Sequence, residues 1–88
     1  MEKEDEFTAI TEKMHIIYLK KNHDYGNSFD KSIDELGIVA AVTRMSDKME
    51  RLKSLVKKES EVKYESFTDT VLDLANYAVM TAMYLKKH

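Results

Sequence analysis

With 88 residues, no cysteine, no proline, two glycines and a formal charge of −2, the chain has room for one domain with a modest core. These values exclude a disulfide framework and a thiolate metal site, and they argue against generic binding to a nucleic-acid polymer. The 34% charged and 43% hydrophobic content predicts a single all-α domain over residues 1–88, a small bundle of three long helices and one short helix. A core this small favours a homo-oligomer. The acidic start MEKEDEF has neither the basic nor the apolar part of a signal peptide, and Asp73 and Asn76 interrupt the most apolar run, Val71 to Leu85. No membrane association is expected, and the lack of cysteine fits a cytoplasmic location.

From Asp5 to Lys21, Phe7, Ile10, Met14, Ile17 and Tyr18 recur every three or four residues, so a helix with one partner-facing stripe is predicted. The stretch KNHDYGNSFDKS, Lys21 to Ser32, reads as a connection in which Gly26 supplies a permissive backbone and Asn27 or Ser28 caps the next helix. Asn27-x-x-Asp30 and Ser32-x-x-Glu35 both have capping-box spacing, and Phe29, Ile33 and Leu36 predict a short helix ending at Gly37. Ile38, Val42, Met45, Met49, Leu52 and Val56 then alternate steps of four and three, the pattern of a helix packed lengthwise on its neighbours. KKESEVKYE, Lys57 to Glu65, loses that pattern and is predicted to be a solvated connection. Ser66, with Asp69 as a capping-box acid, opens the last helix, which runs to about Lys87. Apolar residues from Val71 to Leu85 surround nearly its whole circumference, so it should form the buried centre of the bundle or of an oligomer.

The polar residues of that last helix carry the first functional signal. At 100° per residue Asp69, Asp73 and Asn76 share one face, which continues as Met80 and Met83. A half-buried acid must be paired, protonated or bound to a metal. Arg44, Asp47, Lys48 and Arg51 follow i, i+3, i+4, i+7 spacing and form a second polar stripe. Two arrangements satisfy both helices: Arg44, Lys48 or Arg51 pairs with Asp69 or Asp73, or Asp47, Glu50, Asp69 and Asp73 gather around a divalent ion such as Mg2+. The first is also what a purely structural salt-bridge network would look like.

In the connection, N–H groups at the start of the short helix suit an anion together with Lys20 or Lys21, and Tyr25 offers a ring to a base. His15, His23 and His88 lack zinc-site spacing. Met45, Met49, Met80, Met83, Tyr77 and Tyr84 read as core or subunit contact. There is no Ser-His-Asp ordering, P-loop or dinucleotide fingerprint.

Three segments together, KKNHDYGNSF, TRMSDKMERL and ESFTDTVLDLANYAVM, resemble the nucleotide modification associated domain of type 1, a small helical family of phages, prophages and bacteria. The matching positions are Lys21, Asp24, Tyr25, Gly26 and Ser28, then Arg44, Asp47, Lys48 and Arg51, then Asp69, Asp73, Asn76 and Tyr77. The resemblance implies a role near nucleotide metabolism or modification in a bacterial host cell. Lys21, Arg44, Lys48 and Arg51 then suit phosphates, Tyr25 or Tyr77 a base, and Asn76 a base edge or ribose. A looser similarity is to MazG-like all-α nucleoside triphosphate pyrophosphohydrolases, whose acids hold magnesium. Here Lys48 and Arg51 sit among the acids, and Asp69 and Asp73 are spaced four apart, which favours binding over hydrolysis.

Three functions follow as expectations. The first is nucleotide recognition through Lys21, Asp24, Tyr25, Gly26, Ser28, Arg44, Lys48, Arg51, Asp73, Asn76 and Tyr77, with magnesium-assisted phosphoanhydride hydrolysis as its candidate reaction. The second is a non-catalytic oligomeric sponge that sequesters a cyclic or ADP-ribose-type nucleotide signal in anti-defence. The third is an interaction module without a small ligand, its charged stripes bridging helices.

Overall fold

The computed structural model describes residues 2–25, 27–57 and 62–87, and the side chains of all of these except 24, 25 and 62–64. Among the described residues four α-helices follow one another: α1 Lys3–Tyr25, α2 Ser28–Leu36, α3 Val39–Val56 and α4 Val62–Lys87. Glu4, Asp5 and Glu6 lie in the first turn of α1 and Lys86 and Lys87 in the last turn of α4, each complementing the partial charge of its helix end.

Two boundaries differ from the sequence expectation. α1 continues through Asn22 and His23 to Tyr25 instead of stopping near Lys21. No glycine or proline lies before Gly26, so nothing in this stretch obliges the helix to end earlier. α4 begins at Val62, which makes Ser66 an interior residue whose carbonyl accepts a 2.7 Å hydrogen bond from Thr70 Oγ1. Lys and Glu are good helix formers, so the lost apolar period at Val62–Glu65 does not mark a break in the helix.

The expected capping boxes do not form. Asn27 occupies the N-cap position of α2 without a side-chain cap hydrogen bond, while its carbonyl accepts from the Lys31 N–H at 3.0 Å. Ser32 lies inside α2 and donates to the Phe29 carbonyl at 2.7 Å. The C-terminus of α2 matches the expectation: Gly37, at φ 86° and ψ 179°, donates its N–H to the Ile33 carbonyl at 2.7 Å. That backbone region is essentially reserved for glycine, and it turns the chain from α2 into α3.

α3 and α4 pair along their lengths, α2 folds onto α3, and α1 touches α4 over a limited area. The core gathers Phe29 and Ile33 of α2 with Ala40 and Ala41 of α3, and Met45, Tyr77, Met80 and Tyr84 pack against it. Leu52, Leu55 and Leu72 are buried farther along α3 and α4. The apolar seam expected on α3 is therefore displaced: Ile38, Val42, Met49 and Val56 are exposed, whereas Ala40 and Ala41 are buried. Small side chains let α2 and α4 approach the start of α3 closely, and close packing outweighs the larger but misdirected aliphatic residues. α4 is central without being enclosed, because Val71, Val79, Met83 and Leu85 remain exposed.

Tyr84 fastens α4 to α2 by donating its phenol to Asp34 Oδ1 at 2.7 Å. That hydrogen bond first, then desolvation and the negative charges of Asp34 and Asp30, raise the Tyr84 pKa above its ordinary 10.0.

Two outcomes follow. At Gly37 an added Cβ meets no atom within 4 Å, so Gly37→Ala costs backbone strain alone. We expect a loss of about 1–3 kcal/mol in urea denaturation. For Tyr84, the folded state holds the phenolic proton more tightly than the unfolded chain does. Its stabilising contribution is complete below pH 10.0 and disappears as pH rises through the elevated folded value. The stability difference between the native chain and Tyr84→Phe should therefore shrink across that alkaline window, and a constant difference would contradict the assignment.

Candidate functional site

Asp73 sits near the middle of α4 in a half-buried position, with 23% of its side chain exposed, where a lone carboxylate is unfavourable. Cations reach it from both neighbouring helices. Lys21 Nζ of α1 lies 2.6 Å from Oδ1, and Lys48 Nζ of α3 lies 3.4 Å from Oδ2. Lys48 is also 6.0 Å from the centroid of the Tyr77 ring, within cation–π range. Tyr77 packs against Phe29 of α2 with ring centroids 5.7 Å apart and planes tilted by 34°. One helical turn after Asp73, Asn76 Nδ2 donates to the Met14 carbonyl of α1 at 3.2 Å. Two polar contacts, at Asp73 and Asn76, thus hold α1 against α4 where few apolar ones do.

These residues surround a cleft of about 340 Å3, lined by Tyr18, Lys21, Asn22, Ser28, Phe29, Arg44, Asp73, Asn76, Tyr77 and Met80. A smaller recess of about 70 Å3 adjoins it and shares Tyr18, Asn22, Phe29 and Met80 as its wall. Arg44 faces the main cleft and, among the described residues, has no ion pair or hydrogen bond. Lys21 and Arg44 line the cleft against Asp73, and Lys48 reaches Asp73 from beside it, so among the described residues the basic groups here outnumber the acids.

Of the residues singled out by sequence, Lys21, Ser28, Arg44, Asp73, Asn76 and Tyr77 line this cleft, and Lys48 joins it through Asp73. The side chains of Asp24 and Tyr25, and all of Gly26, lie outside the described residues. Arg51 does not line the cleft. Its Nε donates to Thr70 Oγ1 at 3.3 Å, farther along the α3–α4 pair. The acids expected around a divalent ion are dispersed: Asp47 and Asp69 are exposed, Glu50 pairs with Lys53 at 3.2 Å, and Asp73 is held by the two lysines. Among the described residues no group of three or more His, Cys, Asp or Glu is placed to hold a metal ion. The four acids of that expectation therefore do not gather into one magnesium site.

Four lining residues were not read as site residues from sequence. Phe29 and Met80 belong to apolar periodicities and read as core. Tyr18 and Asn22 share a face of α1 with Lys21 by i, i+3, i+4 spacing. That signal becomes visible only when α1 is extended past Lys21.

Residues 21–85, well over half of the chain, match the family described as nucleotide modification associated domain 1. The chain belongs to this family. No curated protein and no solved structure matches it. The nucleotide modification associated domain takes in every cleft-lining residue except Tyr18, and leaves out the part of α1 before Lys21.

Asp73→Asn should leave Lys21, Lys48 and Arg44 without their counter-charge. Since Lys21 is 55% exposed, solvent screens much of that repulsion. We expect a loss of at most about 1 kcal/mol at low ionic strength. Raising salt in parallel denaturation series should narrow the gap, because screening acts within roughly 10 Å at 0.1 M.

Proposed function

We propose that this cleft binds a nucleotide, its phosphates met by Arg44, Lys21 and Lys48 and its base lodged against Tyr18 and Tyr77. The observation that carries the reading is a guanidinium with no ion pair or hydrogen bond among the described residues, facing a cleft where basic groups already outnumber acids. Arginine presents a planar fork of donors suited to phosphate oxygens. Lys21 and Lys48 keep donors beyond the ones Asp73 accepts, since each ammonium has three. Asp73 acts as an orienting counter-ion: it aims both lysines at the cleft and offsets their mutual repulsion before a ligand arrives. Asn76 spends one N–H on the Met14 carbonyl and retains its amide oxygen and second N–H for a ribose or base edge. A volume of about 340 Å3 falls at the lower end of ordinary small-molecule sites, the scale of a mononucleotide or a compact cyclic nucleotide. Membership of a family described by nucleotide modification supports the same substrate class.

A second reading is favoured by the double ion pair at Asp73. An acid engaged by two lysines is poorly placed to ligate magnesium, which supports retention of the nucleotide over its hydrolysis, as in a sequestering protein. The experiment incubates the pure protein with linear and cyclic nucleotides, with and without magnesium, and chromatographs both the filtrate and the denatured retentate. An intact nucleotide recovered from the retentate supports retention, and new products formed only with magnesium support hydrolysis. Arg44→Ala should weaken binding about 10- to 100-fold, the range for losing a charge-assisted hydrogen bond. Undiminished binding by both Arg44→Ala and Asp73→Asn, measured calorimetrically on folded protein, would remove the proposal's basis.

A further inference from the structure

The chain exposes more surface than a molecule of its size needs to. A compact monomer of 10.3 kDa has an accessible surface of about 5,400 Å2. This chain has 6968 Å2, an excess of roughly 1,600 Å2. Its radius of gyration is 14.5 Å, against about 12 Å for a compact domain of this length. Part of this surface lies on α1, which touches α4 over a limited area and leaves Phe7 72%, Ile10 49%, Ile16 67% and Leu19 52% exposed. A stable dimer of ordinary size buries about 800 Å2 on each partner, and obligate dimers bury more, so the exposed excess is of the size that a second copy would cover.

Charge along α1 sets how a second copy would lie. Glu2, Glu4, Asp5 and Glu6 against Lys3 leave residues 2–6 at −3, whereas Lys13, Lys20 and Lys21 against Glu12 and Asp24 leave residues 7–25 at +1. Two such helices placed antiparallel bring each acidic end beside the other's basic end. Placed parallel, they bring like charges together. We propose that the chain forms a homodimer in which α1 packs antiparallel against the α1 of a second copy, with Phe7 and Ile10 at the contact. The stripe that begins at Phe7 and Ile10 continues through Met14 and Ile17, which are half-buried, to Tyr18 on the cleft wall, so the apolar contact at Phe7 and Ile10 lies outside the cleft. The proposal stands on surface area and charge and is independent of the nucleotide reading.

Sedimentation of the full chain over a concentration series tests it. The native chain should sediment as a dimer or an assembly of dimers. Phe7→Glu combined with Ile10→Glu should yield monomers while the helical circular dichroism persists, since both residues are exposed in the single chain. Orientation is tested on charges alone. Glu6→Lys should weaken association several-fold, and adding Lys20→Glu to it should restore the native dissociation constant. A native chain that stays monomeric throughout, or a Phe7/Ile10 double variant that associates as tightly as the native chain, overturns the proposal. Failure of Lys20→Glu to compensate Glu6→Lys overturns the antiparallel arrangement.

Discussion

A carboxylate held half out of water cannot remain alone, and the arrangement of this bundle turns on how Asp73 is answered. α3 and α4 would pair through Leu52, Leu55 and Leu72 without it. α1 is different: its contact with α4 is small, and the polar links at Asp73 and Asn76 define where it lies. By drawing Lys21 from one side and Lys48 from the other, Asp73 spaces α1 and α3 on either flank of α4 and so keeps a cleft open between them.

The same choice explains which cations are available for other work. Lys21 and Lys48 are held in place by Asp73, and Arg51 is turned toward Thr70, whose hydroxyl in turn donates to the Ser66 carbonyl. Arg44 alone of the described basic residues on the cleft wall has no protein partner, although it belongs to the same helical stripe as the others. Building a site in this way combines pre-oriented ammonium groups with one unengaged guanidinium, an arrangement suited to an arriving anion. The aromatic pair Phe29 and Tyr77 ties this polar wall to the core, so the cleft inherits the rigidity of the α2–α3–α4 packing.

An open cleft and a loosely seated helix also leave apolar surface uncovered. In a chain of 88 residues the buried core is small, and exposed Phe7, Ile10, Ile16 and Leu19 on α1 add surface that works against a stable monomer. The helix that closes one side of the cleft thus carries part of this uncovered apolar surface.

By itself the sequence determined the helical class, the short α2 ending at Gly37, the extent of α3 to within a residue, and the three polar segments from which the cleft is built. Those features are local: glycine's backbone freedom, helix propensity and three-to-four-residue spacing act within a few turns. Charged stretches misled the boundaries, because Asn22–Tyr25 and Val62–Glu65 are helical without an apolar period to announce them. The tertiary structure alone decided that Lys21 and not an arginine meets Asp73 most closely, that Arg51 turns away while Arg44 stays unengaged, and that the four acids stay dispersed. Helical spacing says which side chains share a face. Which face meets which is set by how closely Ala40 and Ala41 let the helices approach and by the angle at which α1 crosses α4, and no single helix carries that information in its own sequence.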